Sequence, residues 1–124
     1  VLRTIICGGP RVGKTTLATA LAVDADPLHT DSLVGTCDEA EAVRRTVAWI
    51  SLPGPWVVEG CTAVRALRAW LAENDGAPAE RVFWSDDPKV SQTPGQARMA
   101  KGCATVWAQV ENELRERGVA VQRF

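Results

Sequence analysis

The sequence predicts a three-layer α/β fold built on a five-stranded, mostly parallel sheet, and three observations carry that prediction. Apolar runs of strand length alternate with stretches of helical period along the whole chain, the pattern of βα units. A glycine-rich turn, Gly8-Gly9-Pro10-Arg11-Val12-Gly13-Lys14-Thr15, separates the first apolar run from the first helical stretch. At 124 residues there is room for a single domain, 1–124, with one modest core, so the strands must share a sheet.

The first strand is read at about Leu2–Cys7, where Thr4-Ile5-Ile6-Cys7 is the unbroken apolar run of a buried strand. The first helix follows at about Lys14–Val23, with Leu17 and Leu21 on one face. A short second strand is placed around Leu28–Thr30, after Asp26-Pro27, and a loop with Asp31 and Gly35 follows it. The second helix is expected from roughly Asp38 to Ser51. Its Val43, Val47 and Ile50 share a face, and Pro53-Gly54-Pro55 stops it. Strand three, Trp56-Val57-Val58, ends at Glu59-Gly60. Thr62 is placed to cap a third helix whose Val64, Leu67 and Leu71 form the inward stripe, closed by Asn74-Asp75-Gly76 and Pro78.

Strand four is Arg81–Trp84. The polar segment from Ser85 leads to Thr93-Pro94-Gly95-Gln96, a capping-box pattern with proline at the first helical position. The last helix carries Val106, Trp107, Val110 and Leu114 and ends at Gly118; strand five, Val119–Gln122, completes the sheet. Gly102 interrupts that helix at a cost on the order of 1 kcal/mol relative to alanine. It marks either a break between a mobile front piece, Gln96–Lys101, and a fixed rear helix, or a continuous helix that tolerates one glycine.

With 46% hydrophobic and 23% charged residues, the composition is that of an ordinary soluble globular protein. A net charge of −1 supplies no global field toward nucleic acid or an acidic membrane, so any such contact must be local. Cys7, Cys37, Cys61 and Cys103 form no CxxC pair and no metal-ligand spacing, and free thiols in a reducing compartment are expected. No apolar run approaches membrane-spanning length and no leader is visible. The expected setting is the cytoplasm, with no membrane partner.

The turn Gly8–Thr15 fills G-x-x-x-x-G-K-[ST] at every fixed position, and its strand-before, helix-after context is the one that motif requires. Glycines let the backbone curl so that successive N–H groups point inward, and the helix N-terminus adds its positive end beneath an anion. Gly8, Gly9, Pro10, Arg11, Val12, Gly13, Lys14, Thr15 and Thr16 are therefore assigned to a nucleoside triphosphate. Lys14 is assigned to its β and γ phosphates and the Thr15 hydroxyl to Mg²⁺. Asp31, just past strand two, should face the phosphates, because ligands of parallel sheets sit beyond the carboxyl ends of strands. There it can take the proton of an attacking hydroxyl or hold a metal-bound water; a plain loop turn is the competing reading. Glu59, an acid ending a buried strand, is in the Walker B place and is assigned to the metal.

These features together resemble the small P-loop kinases: a phosphate loop, an acid after strand two, a strand ending in Glu-Gly and a late basic helix. That group of P-loop NTPases spans nucleoside and nucleotide kinases, shikimate- and gluconate-type kinases and polynucleotide 5′-hydroxyl kinases. The resemblance covers nearly the whole chain in layout, with Gly8–Thr15 its one strongly specific motif. It implies strand order 2-3-1-4-5, ATP and Mg²⁺ as cofactors, and Asp31 as the base that meets the acceptor hydroxyl. It also implies a short lid at about 86–101, where Arg98 and Lys101, spaced i, i+3, would close on the transferred phosphoryl group; a solvated helix face competes. Arg65 is a candidate for an acceptor phosphate, against a plain surface arginine.

The lone histidine, His29, is read as packed or capping rather than as a titrating group beside a nucleotide. Trp49, Trp70 and Trp107 are read as core; Trp84, ending strand four, is core or a platform for a base. Asp86-Asp87 reads as a turn. A guanine-specifying N-K-x-D is absent, which removes the GTPase switches, and the length leaves little space for motor subdomains. A non-catalytic nucleotide-binding regulator stays open. The compact acceptor side is similar to that of virus-encoded kinases acting on hydroxymethyl pyrimidines within DNA, which would put the protein in host cytoplasm. Under that likeness Arg11, Arg65, Arg68, Arg98 and Lys101 form a basic rim on the phosphodiesters, and DNA is narrowly favoured over a free nucleotide as acceptor.

Overall fold

The computed structural model describes residues 2–23 and 25–124. Among the described residues, nine main elements alternate as the periodicity requires: β1 (Arg3–Gly8), α1 (Lys14–Leu21), β2 (Leu28–His29), α2 (Glu39–Ile50), β3 (Trp56–Glu59), α3 (Ala63–Glu73), β4 (Arg81–Ser85), α4 (Pro94–Glu116) and β5 (Ala120–Arg123), with a 3-10 turn at Thr30–Leu33. The strands form one sheet in the order β2-β3-β1-β4-β5. Each neighbouring pair is parallel, as helical crossovers demand.

β1 lies at the centre because Ile5, Ile6 and Cys7 are all apolar and all fully buried, covered from both faces. Alternation along the strands then sorts the core into two. Ile6, Val57 and Phe83 face α1, where Ala18, Leu17 and Leu21 meet them. Ile5, Cys7, Val58, Val82 and Trp84 face the larger cluster that includes Ile50 of α2, Leu67 and Leu71 of α3, and Val106, Trp107 and Leu114 of α4. One helix covers one face and three cover the other, giving three layers.

Element ends differ from the sequence reading for local reasons. α1 stops at Leu21, because Ala22 turns extended (ψ 119°) and Val23 is 88% exposed, with no apolar contact to keep it helical. β5 begins at Ala120 because Val119 belongs to the end of α4: its N–H bonds Leu114 O at 3.0 Å while Gly118 N–H bonds Arg115 O at 3.1 Å. That pair of bonds is a Schellman closure. The capping box forms in full, with Gln96 N–H donating to Thr93 Oγ1 (3.1 Å) and Thr93 N–H to Gln96 Oε1 (2.9 Å). Thr62 does not cap α3 through its side chain; at φ −73°, ψ −20° its backbone is already helical rather than extended as a capping residue's is.

α4 runs unbroken through Gly102, so the hinge reading is corrected. A Cβ at 102 would lie 3.1 Å from Arg65 Nη2. The glycine makes room for an arginine crossing from α3.

Candidate functional site

The turn after β1 is pressed between β4 and α4. A side chain at Gly9 would meet Ala100 Cβ at 2.7 Å, so the front of α4 lies directly against the loop. Arg11 (φ 69°) and Gly13 (φ 93°) both take left-handed backbone, and between them Val12 plugs into the core at 1% exposure. Lys14 is 8% exposed, folded back over the turn with Nζ donating to Gly9 O at 2.5 Å. α1 starts at Lys14 with no acid in its first turn and no side-chain cap. Its N–H groups and dipole therefore have no competing carboxylate on their own helix. Thr15 and Thr16 are exposed at that helix end.

Two residues that sequence reasoning passed over pin the segment between β4 and α4 to this loop. Lys89 N–H donates to Arg11 O and Gln92 Nε2 to Pro10 O, each at 2.7 Å. Lys89 Cγ lies 3.9 Å from where a Gly13 Cβ would stand, and its ammonium is held by Asp87 Oδ2 at 3.3 Å. The available signal was thin: Lys89 is the one basic residue between Ser85 and Thr93. Asp86 and Asp87 are exposed, and the Asp87 N–H bonds Ser85 Oγ, as a turn requires.

Glu59 ends β3 at 1% exposure, beside Ile6 of β1 and His29 of β2 in register. Its Oε1 takes a hydrogen bond from His29 Nδ1 at 2.7 Å and a longer one from Thr15 Oγ1 at 3.4 Å. The loop hydroxyl and the strand-three acid thus meet. Gly60 follows in left-handed backbone (φ 142°), and a Cβ there would stand 1.7 Å from Thr30 Oγ1. The end of β2 is locked against the Glu59-Gly60 bend by that close approach. Thr30 is 1% exposed and its hydroxyl lacks a hydrogen-bond partner. Asp31, next in the 3-10 turn, is exposed, and its field reaches Cys61 at the start of the β3–α3 turn.

Cys61, Cys103 and the buried Cys7 gather beneath the loop, all within the field of Lys14. Cys103 Sγ donates to Cys61 O at 3.5 Å, and its pairing with Cys61, aided by the field of Arg65, lowers the Cys103 thiol against its burial. Burial pushes Cys7 up. All four cysteines are free.

The basic residues divide. Arg65 is 29% exposed, reaches over Gly102 and stands 3.6 Å from Glu39 Oε1. Arg68 is turned elsewhere, tying α3 to α4 through Gln109 Oε1 at 2.9 Å, so it leaves the expected rim. Arg11, Arg98 and Lys101 are exposed and make no ion pair among the described residues. Trp84 is corrected as a base platform: it is 1% exposed and stacked on Trp107, centroids 5.0 Å apart and planes 2° from parallel. Trp49 and Trp70 pack against the same core.

Among the described residues no group of three or more His, Cys, Asp or Glu forms a metal cage. Mg²⁺ bound with a nucleotide needs no such cage, since phosphate oxygens and waters fill most of its shell and the protein adds one or two oxygens. Thr15 and Glu59, in mutual contact, fit that demand. An apolar pocket of about 290 Å³ lies between the end of α1 and the N-terminal ends of the strands, lined by Leu2, Leu21, Leu28 and Trp56 among others, away from the loop. No helix among the described residues is long and apolar enough to cross a membrane.

No family model, no curated protein and no solved structure matches this chain. The sheet order and the loop between its central strand and first helix nonetheless have a P-loop NTPase-like topology, compatible with nucleotide binding.

Proposed function

We propose that this protein is an ATP- and Mg²⁺-dependent phosphotransferase, a P-loop kinase acting on a hydroxyl of a nucleotide-type acceptor. The observation that carries the reading is the contact of Thr15 with the buried Glu59 at the mouth of a loop roofed by Lys14. An anion cradle alone binds; a cradle with a buried acid behind its hydroxyl supports chemistry on what it binds.

In this reading Gly8–Thr16 hold the triphosphate through backbone N–H groups, and Lys14 leaves Gly9 O to neutralise the β and γ oxygens. Thr15 and Glu59 hold the cation, which supplies charge neutralisation on the phosphates. Asp31, exposed on the same side as Cys61, takes the acceptor hydroxyl proton as it attacks. Arg98 and Lys101, on the exposed front of a helix whose Ala100 abuts the loop, stabilise the equatorial oxygens. Arg65 is the acceptor-side cation once released from Glu39. The lid is the segment 86–101, anchored by Lys89 and Gln92.

The acceptor favoured is a hydroxymethyl pyrimidine in DNA, supported by Arg11, Arg98 and Lys101, exposed and without ion pairs among the described residues. A transfer assay with γ-labelled ATP, run on hydroxymethyluracil DNA, 5′-hydroxyl DNA, free nucleosides and monophosphates, tests both levels. Label appearing on hydroxymethyluracil DNA supports the full reading. Label only on a nucleoside or a 5′ end keeps the kinase and replaces the acceptor. ATP binding with no transfer to any hydroxyl makes the protein a nucleotide-binding regulator.

A further inference from the structure

We infer that His29 is a positioning residue for Glu59, fixing the carboxylate so that one oxygen stays free for the nucleotide-bound divalent cation. The inference rests on the cation role proposed above for Thr15 and Glu59. Both protein donors to this carboxylate fall on Oε1: His29 Nδ1 at 2.7 Å and Thr15 Oγ1 at 3.4 Å. Oε2 receives no hydrogen bond among the described residues, in a side chain only 2% exposed. A nearly buried acid with one oxygen anchored and the other without a protein donor is oriented for a ligand at that second oxygen. Without the short bond from His29, the carboxylate would keep only the long contact to Thr15 and would be free to rotate about its terminal torsion.

A packing role does not account for His29. Its side chain is 38% exposed, and its one hydrogen bond among the described residues goes to Glu59. β2 is only two residues long, paired His29 to Glu59 in parallel register, and Thr30 beyond it is wedged against Gly60. The strand is thus held in place by Leu28, Thr30 and the register, and the imidazole is left over to hold the acid. Nδ1 carries the proton it donates; Nε2 has no bond to a described residue.

The test is a titration of Mn²⁺ with ATP, reading bound Mn²⁺ by electron paramagnetic resonance on wild type, His29→Ala and His29→Asn. Asparagine keeps an N–H near the place of Nδ1; alanine does not. We expect His29→Ala to weaken Mn²⁺ in the ternary complex by about 10–100-fold, the usual effect of losing a bond that orients a ligand. His29→Asn should stay within roughly threefold of wild type, well short of that loss. ATP affinity measured in EDTA should be the same for all three, which also shows that the phosphate loop is folded. Equal Mn²⁺ affinity in wild type and His29→Ala overturns the inference and leaves the kinase reading standing. An asparagine variant as weak as the alanine one overturns it too, since the donor is then not what matters. Wild type that binds no ATP removes the kinase reading and this inference together.

Discussion

At Lys14 one side chain links fold to chemistry. Its ammonium spans the turn to Gly9 O at 8% exposure, over the loop to which the proposed function assigns the phosphates. Lys14→Ala should abolish phosphoryl transfer and weaken ATP binding, read by isothermal calorimetry beside the labelled-transfer assay. Asp31→Asn should leave ATP binding intact and slow transfer roughly 10²–10⁴-fold, the range for a lost general base. An unchanged rate in that variant removes Asp31 from the role. The place of Glu59 at the buried end of β3 was legible, because the apolar run Trp56-Val57-Val58 stops there. His29 was not, because a lone imidazole in a sequence gives no sign of its partner; the register of β2 on β3 makes the pair. Gly60 was hidden for the same reason. Its Cβ would collide with Thr30 Oγ1 at 1.7 Å, a contact between residues thirty apart that no local pattern announces.

Helix α4 joins the proposed lid segment to the core as one continuous helix, Pro94–Glu116. Gly102 left a hinge and a continuous helix both open because propensity is a local quantity; the helix is continuous, and a Cβ there would stand 3.1 Å from Arg65 Nη2, a tertiary contact. The capping box at Thr93 and Gln96 was legible in full, since all its atoms lie within four residues. Thr93→Ala should cost about 0.5–2 kcal/mol of stability in chemical denaturation and loosen the front of the lid. The other end of the sheet is tied by Arg3 and Glu80, with Arg3 N–H donating to Glu80 Oε1 at 2.6 Å and its guanidinium engaging both carboxylate oxygens. The hydrogen bond from Arg3 lowers the Glu80 acid below the ordinary carboxylate value, against partial burial. Because the folded value is depressed, this contribution is present above the unfolded value near 4.5 and is lost as pH falls through the folded value. Glu80→Gln should therefore flatten the acid limb of a stability–pH curve measured by thermal melting, with no effect on the shape above pH 6 or so.

Viewed whole, the chain has a net charge of −1 and a fold whose layers were readable from alternation, while its strand order was implied by the resemblance that the glycine-rich loop carries. The distribution of charge was less readable. Sequence places five basic residues near the mouth of the loop, but folding diverts Arg68 to Gln109 and ties Arg65 to Glu39, leaving Arg11, Arg98 and Lys101 exposed and outside the ion pairs of the described residues. A near-neutral molecule attracts a polyanion only by local contact, and local contact leaves a signature in salt. If those three side chains each neutralise one phosphodiester, the logarithm of DNA affinity should fall with the logarithm of salt at a slope of about −2 to −3. Replacing Arg98 and Lys101 together with glutamine should remove roughly two of those contacts, bringing the slope to about −1 or shallower. A small acceptor held by hydrogen bonds to Asp31 gives a nearly flat line instead. Fluorescence anisotropy of labelled hydroxymethyluracil DNA from low to moderate salt separates the two. A flat line would move the acceptor from DNA to a free nucleoside while leaving the phosphate cradle, Thr15 and Glu59 in their proposed roles.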